Sequence, residues 1–257
     1  MDRIWVTVTT KIKNRYSLKV TSLILFLCVW QIASIWIDVD VLPSPARVAS
    51  SIHEHLFAGD LLSSVAITLA RVGVSFFIAM AFGIAVGVLM GRNRNWDAAL
   101  DGLLILSLNL PALVVIILCY LWFGLGEFAA VLAVSINKFP IVVVNMREGA
   151  KAVDMDLLQV TQAFKVSPYR TFSKVYLPQL YPYLLASARS GLALVWKIVL
   201  VVELLGRSDG VGFKLGIFFQ FFDITSILAY SFAFILVVMI IELLVIAPLD
   251  RRLMEWR

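Results

Sequence analysis

The sequence predicts an all-α, polytopic membrane protein with about six spans, and three observations lead there. Hydrophobic residues make up 61% of the 257 positions and charged residues 15%, whereas soluble domains are roughly half apolar and a quarter charged. The mean hydropathy is +0.93. Long apolar windows recur along the whole chain, each near the roughly 20 residues that cross a hydrocarbon core of about 30 Å. Unpaired backbone is too costly in lipid for anything but helices or a closed barrel, and windows of this length select helices.

Taken in order, the windows place spans near residues 18–37, 63–91, 99–123, 127–146, 180–205 and 227–249. The first resembles a secretory leader, because Arg3, Lys11, Lys13, Arg15 and Lys19 precede it. Its apolar run continues through Trp36 without a small-residue cleavage site, so it reads as an uncleaved span. After it, Leu42-Pro43-Ser44-Pro45 breaks the helix, and Val48, Ile52, Leu56 and Phe57 outline an amphipathic segment lying on the membrane face. His53 and His55 in that segment lack a third ligand and carry no metal assignment. In the second span Gly83, Gly87 and Gly91 fall on one stripe, a spacing that allows close helix approach. The fourth span contains Pro140 beside Asn137-Lys138-Phe139, so a kink next to a buried cation is expected.

Between the fourth and fifth spans lies the one extended polar interruption, residues 147–178. Arg147, Lys151, Lys165, Arg170 and Lys174 mark it as cytoplasmic. Val153, Leu157, Leu158 and Val160, then Phe164, Tyr169, Phe172, Val175 and Leu177, recur at helical spacing and predict two short amphipathic helices offering a docking surface. With the N-terminus inside, the remaining cytoplasmic segments collect Arg92, Arg94, Arg251, Arg252 and Arg257, against Arg47, Arg207 and Lys214 outside. That asymmetry places both termini in the cytoplasm.

The net charge of +5 sits at span ends, where anionic lipid head groups account for it better than nucleic acid. Cys28 and Cys119 lie within apolar runs and read as inert thiols. No catalytic constellation, cofactor motif or G-x-x-x-x-G-K-[ST] loop is present, so ATP hydrolysis by that route is excluded from this chain. Residues 1–257 read as one transmembrane domain.

Charges within spans are candidates for function. Lys138, Lys197 and Glu203 are the translocation-pathway candidates, and Lys138 beside a broken helix suits an anionic solute. The competing reading pairs Lys138 with Glu203 as structural glue. Glu203 and Arg207, four residues apart, are candidates for a local pair, and Arg189 is assigned to the inner interface.

Val175-Tyr176-Leu177-Pro178 closes a loop signature in which a Glu-Ala-Ala-like start is followed six residues on by glycine, then nine residues, an aliphatic residue, any residue, Leu and Pro. Here Gln159, Val160 and Thr161 stand at the start and Lys165 at the glycine position. With Leu42-Pro43-Ser44-Pro45, Leu69-Ala70-Arg71, Trp122-Phe123-Gly124-Leu125-Gly126, Val202-Glu203-Leu204 and the closing Arg251-Arg252-Leu253-Met254-Glu255-Trp256-Arg257, the chain resembles the permease subunits of bacterial ABC importers, in the nitrate, sulfonate, taurine and bicarbonate group.

The resemblance implies a homodimeric path in the cytoplasmic membrane, two cytoplasmic ATP-binding subunits, and an extracytoplasmic solute-binding protein delivering a small solute, of which an anion is the expectation. It implies an ATPase-coupling role for Asp154, Asp156, Gln159, Ala163, Lys165, Ser167, Leu177 and Pro178. Lys165 at the glycine position implies either a different turn or a tolerated strain. A stand-alone secondary transporter or channel, or an exporter-type permease, is the alternative.

Overall fold

The structure is a computed structural model that describes residues 18, 21–37, 41–246 and 248. The basic N-terminal residues Arg3, Lys11, Lys13, Arg15 and Lys19 and the closing 251–257 segment lie outside the described residues, as does the end of the window at 227–249.

The helices are α1 (Thr21–Trp36), α2 (Pro45–Phe57), α3 (Leu61–Arg92), α4 (Arg94–Asn109), α5 (Ala112–Phe123), α6 (Glu127–Lys151), α7 (Met155–Ala163), α8 (Pro168–Gly206), α9 (Val211–Gln220) and α10 (Ile224–Leu244). Of these α3, α6, α8 and α10 are individually long and apolar enough to cross a membrane. The window at 99–123 is not one straight helix. It is the pair α4 and α5, bent by 98° at Leu110-Pro111. Pro111 withholds the amide that would continue α4 and pushes Leu110 into extended backbone, and Leu110 has ψ 125°. Counting that pair as a broken span gives five, and α1, at 16 residues, falls short of a span among the described residues.

The chain divides into two compact units, Met1–Asp60 with Ile217–Ala233, and Leu61–Gly216 with Phe234–Arg257. In the first, Ser44 caps α2 by accepting from Arg47 N, with Pro45 at the first turn. Trp30 Nε1 donates to Pro43 O at 3.1 Å and its ring stacks on Phe232. His55 Nε2 lies 3.0 Å from Ser226 Oγ, between the rings of Phe218 and Tyr230. That aromatic and hydroxyl setting accounts for His55 as a packed side chain, while His53 lies against Phe57.

In the second unit α3 packs along α6, and α6 along α8. The glycine stripe sets the first contact. A Cβ on Gly83 would stand 2.6 Å from Val142 Cβ, one on Gly87 2.6 Å from Met146 Cβ, and one on Gly91 2.5 Å from Ala150 Cβ. Each step of four on α3 meets a step of four on α6, so the two helices run parallel with their backbones in close approach. The apolar cluster Met80, Val142, Met146, Val153, Tyr176 and Leu180 joins α3, α6 and α8 at the end bearing α7. Tyr120 OH donates to Val202 O at 2.8 Å, fixing α5 to α8.

Candidate functional site

The polar interruption is shorter than its sequence outline. Arg147 and Lys151 belong to α6, where Arg147 pairs with Asp97 at 2.5 Å and Asp101 at 2.7 Å, and Lys151 pairs with Asp97 at 2.9 Å. They hold α4 to the end of α6.

Only α7 is a free short helix. Asp154 caps it, its Oδ1 accepting from Asp156 N at 2.8 Å and Leu157 N at 3.4 Å, and Asp156 adds negative charge to the first turn, where the helix dipole favours it. Asp154 N donates to Gln179 Oε1 at 2.8 Å, which ties the start of α7 to α8. Val153 is buried beneath this joint.

The C-terminus of α7 closes on Lys165, whose φ is +49°. Lys165 N donates to Gln162 O and Val166 N to Thr161 O, each at 2.9 Å, the paired bonds of a Schellman turn whose left-handed position normally holds glycine. Of the two alternatives for this position, the structure adopts the strained one: the turn keeps the glycine conformation with a lysine in it, at about 1 kcal/mol or more.

The second predicted amphipathic helix is not separate. Pro168–Thr171 runs through a π-helical turn at Phe172–Tyr176 directly into the span, making α8 a 39-residue helix. Gln179 Nε2 donates to Val175 O at 2.9 Å beside that turn. Gln159, Ala163, Lys165 and Ser167 are exposed, and Leu177 and Pro178 are half-buried where α8 leaves the surface. Met155, Leu157, Val160, Phe164, Tyr169 and Phe172 are all exposed, Phe164 to 80% and Tyr169 to 79%. Six large apolar side chains on a surface edged with Asp154, Asp156 and Lys165 form the kind of patch that a partner covers. A cavity of about 260 Å³ separates α7 from α8, lined by Leu158, Thr161, Val166 and Tyr176 among others.

The three intramembrane candidates have different surroundings. Lys138 is 0% exposed, and its Nζ donates to Ser187 O on α8 at 2.8 Å. It occupies the space above Gly191, where any Cβ would overlap the ammonium. Glu203 is also 0% exposed but its partner is Arg71, whose Nη1 donates to Oε1 at 2.7 Å. Thr68 Oγ1 and Gly212 N donate to Glu203 Oε2 at 2.9 and 2.8 Å. Pairing of Lys138 with Glu203 is therefore corrected: each has a nearer partner. Lys197 lies exposed on α8.

Glu203 and Arg207 do not pair locally either. Arg207 reaches Glu127 at 2.8 Å and Leu125 O at 2.7 Å. Arg71 also binds Glu127 and Asp209, and donates to Asp209 O at 3.1 Å. Five charged residues on α3, α6, α8 and the loop after α8 thus form one network, with Arg71 and Glu203 buried, Arg207 half-buried, and Glu127 and Asp209 reaching the surface. Glu203 is among the sequence candidates and Arg71 is not. The available signal was a charge ten residues inside an apolar run.

The second unit is thus a set of apolar helices with one broken span, in which the short capped helix α7 turns at Lys165 into the start of the long α8. Residues 79–251 match the family of binding-protein-dependent transport system inner membrane components. The chain belongs to this family. Among relatives of this permease, SsuC of Bacillus subtilis (strain 168), named for aliphatic sulfonates transport, is 29% identical over 221 residues, covering 86% of this chain and 80% of its own. The taurine transport system permease protein TauC of Escherichia coli (strain K12) is 27% identical over 252 residues, covering 95% and 91%. Among solved structures, the MetNI methionine ABC transporter in inward facing conformations superposes with a TM-score of 0.65 at 17% identity, over 76% of this permease and 96% of that chain, a likeness of fold.

Proposed function

We propose that this permease forms, as a homodimer, the path of an importer in the bacterial cytoplasmic membrane, with both termini inside. Two cytoplasmic ATP-binding subunits supply the energy, so hydrolysis is assigned to them and not to this chain. An extracytoplasmic binding protein delivers the solute, a small organic or inorganic anion, a reading supported by relatives named for sulfonate, taurine and nitrate transport.

The observation that carries the reading is the exposed apolar face of α7 and the start of α8, set on a helix that continues into the membrane. Asp154, Asp156, Gln159, Ala163, Lys165 and Ser167 present that face to the ATP-binding subunit, and Leu177 and Pro178 mark where the motion enters the span. A channel or secondary transporter has no use for such a surface. Affinity purification of tagged permease, followed by intact-complex mass and ATPase measurement, tests this. Two permease copies with two ATP-hydrolysing subunits are expected, and recovery without nucleotide turnover would overturn the importer reading.

A further inference from the structure

Of the three pathway candidates, Lys197 alone opens onto free space. With Arg189, Trp196, Leu200, Phe234 and Glu242 it lines a groove of about 550 Å³ between α8 and α10. Among the described residues Lys197 has no hydrogen-bond or ion-pair partner. It lies nine residues before the Gly206 end of α8, about 13 Å along the axis, about twice the reach of a lysine stem. A charge held at that depth faces water, a partner or a solute rather than lipid.

The groove walls add a second constraint. Trp196, Leu200 and Phe234 give the groove an apolar wall, and its lining also includes Glu242 and Arg189, which has interactions of its own. A fully hydrated inorganic ion gains nothing from those walls. An anion carrying a hydrocarbon body fits both the cation and the wall.

We propose that Lys197 is the residue that holds the negative group of the solute on its way through the membrane, with Trp196 and Leu200 receiving its apolar part. The proposal rests on the importer reading. Lys138 and Glu203, both enclosed by protein, anchor helices instead.

The test uses the assembled complex in phosphatidylcholine vesicles, with Cys28 and Cys119 replaced by serine. Ala193 lies one turn from Lys197 on the same groove, and A193C is treated with an anionic (2-sulfonatoethyl) or a cationic (2-aminoethyl) methanethiosulfonate. The anionic reagent is expected to react at least tenfold faster, and K197M in the same background is expected to abolish the preference. Absence of reaction with both reagents, or a preference unchanged by K197M, would overturn the proposal. Loss of the preference when phosphatidylglycerol is added would assign the groove to lipid head groups and overturn it equally. ATP hydrolysis by the same complex reports on the importer reading independently, so the two can fail separately.

Discussion

Arg71 Nη1 donates to Glu203 Oε1 at 2.7 Å, across 132 residues of sequence, between two side chains that are 4% and 0% exposed. Removing one member of such a pair leaves the other charged and enclosed, at about 3–5 kcal/mol, whereas replacing both with apolar groups is often close to neutral. Arg71→Met is expected to lower the thermal midpoint of the detergent-solubilised permease sharply. The double variant Arg71→Met with Glu203→Leu is expected to recover part of the loss. A single variant as stable as the parent would remove the network from the list of forces holding α3 to α8.

Gly191 and Lys138 form a second coupled site. Alanine at 191 drives the ammonium off Ser187 O, at about 1–3 kcal/mol for overpacking and the lost bond. Gly191→Ala is expected to destabilise, and Lys138→Leu in the same chain to restore part of the loss, because its side chain stops at the position of Lys138 Cδ, 2.9 Å from the new Cβ rather than 1.5 Å. Additive effects in the four-variant cycle would contradict the contact.

The glycine stripe makes a sharper contrast. Gly87 faces Val143 O at 2.7 Å from a notional Cβ, while Gly73, on the same helix, has nothing within 4 Å. Gly87→Val is expected to disrupt assembly of α3 on α6, and Gly73→Ala to raise stability by up to about 1 kcal/mol through helix propensity. Comparable unfolding midpoints for the two would show that the close approach is not tight.

Lys165 holds a left-handed turn at φ +49°. Lys165→Gly is expected to relieve roughly 1 kcal/mol of strain, and Lys165→Ala to leave it in place. Hydrogen exchange at the Lys165 and Val166 amides, both bonded back into α7, checks this: slower exchange in the glycine variant supports the strain, and equal exchange in both variants denies it.

How much of this was legible in the sequence depends on whether the signal was local. Gly83, Gly87 and Gly91 announced close packing because spacing alone puts them on one stripe, and the periodicity of Val153, Leu157, Leu158 and Val160 announced α7. Pro111 was a readable break in the window at 99–123, overridden by the apolar residues on both sides. The role of Arg71 is not legible locally, because its partners Glu127, Glu203 and Asp209 are 56 to 138 residues away, a distance that no periodicity reports. The π-helical turn at Phe172–Tyr176 leaves no pattern of its own, so one continuous helix read as two.

That continuity makes α8 a lever. At 39 residues it measures about 58 Å, so a tilt of about 5° about one end displaces the other by roughly 5 Å. The exposed tip near Pro168 and the far end near Gly206 belong to one helix, in which Pro178 and Pro182 withhold amides from the hydrogen-bond ladder just beyond the π turn, so a displacement of one end reaches the other only as far as that stretch stays stiff. The gearing is built into the length of the helix, and shortening or unwinding it at the π turn would change the stroke without touching a single residue at either end.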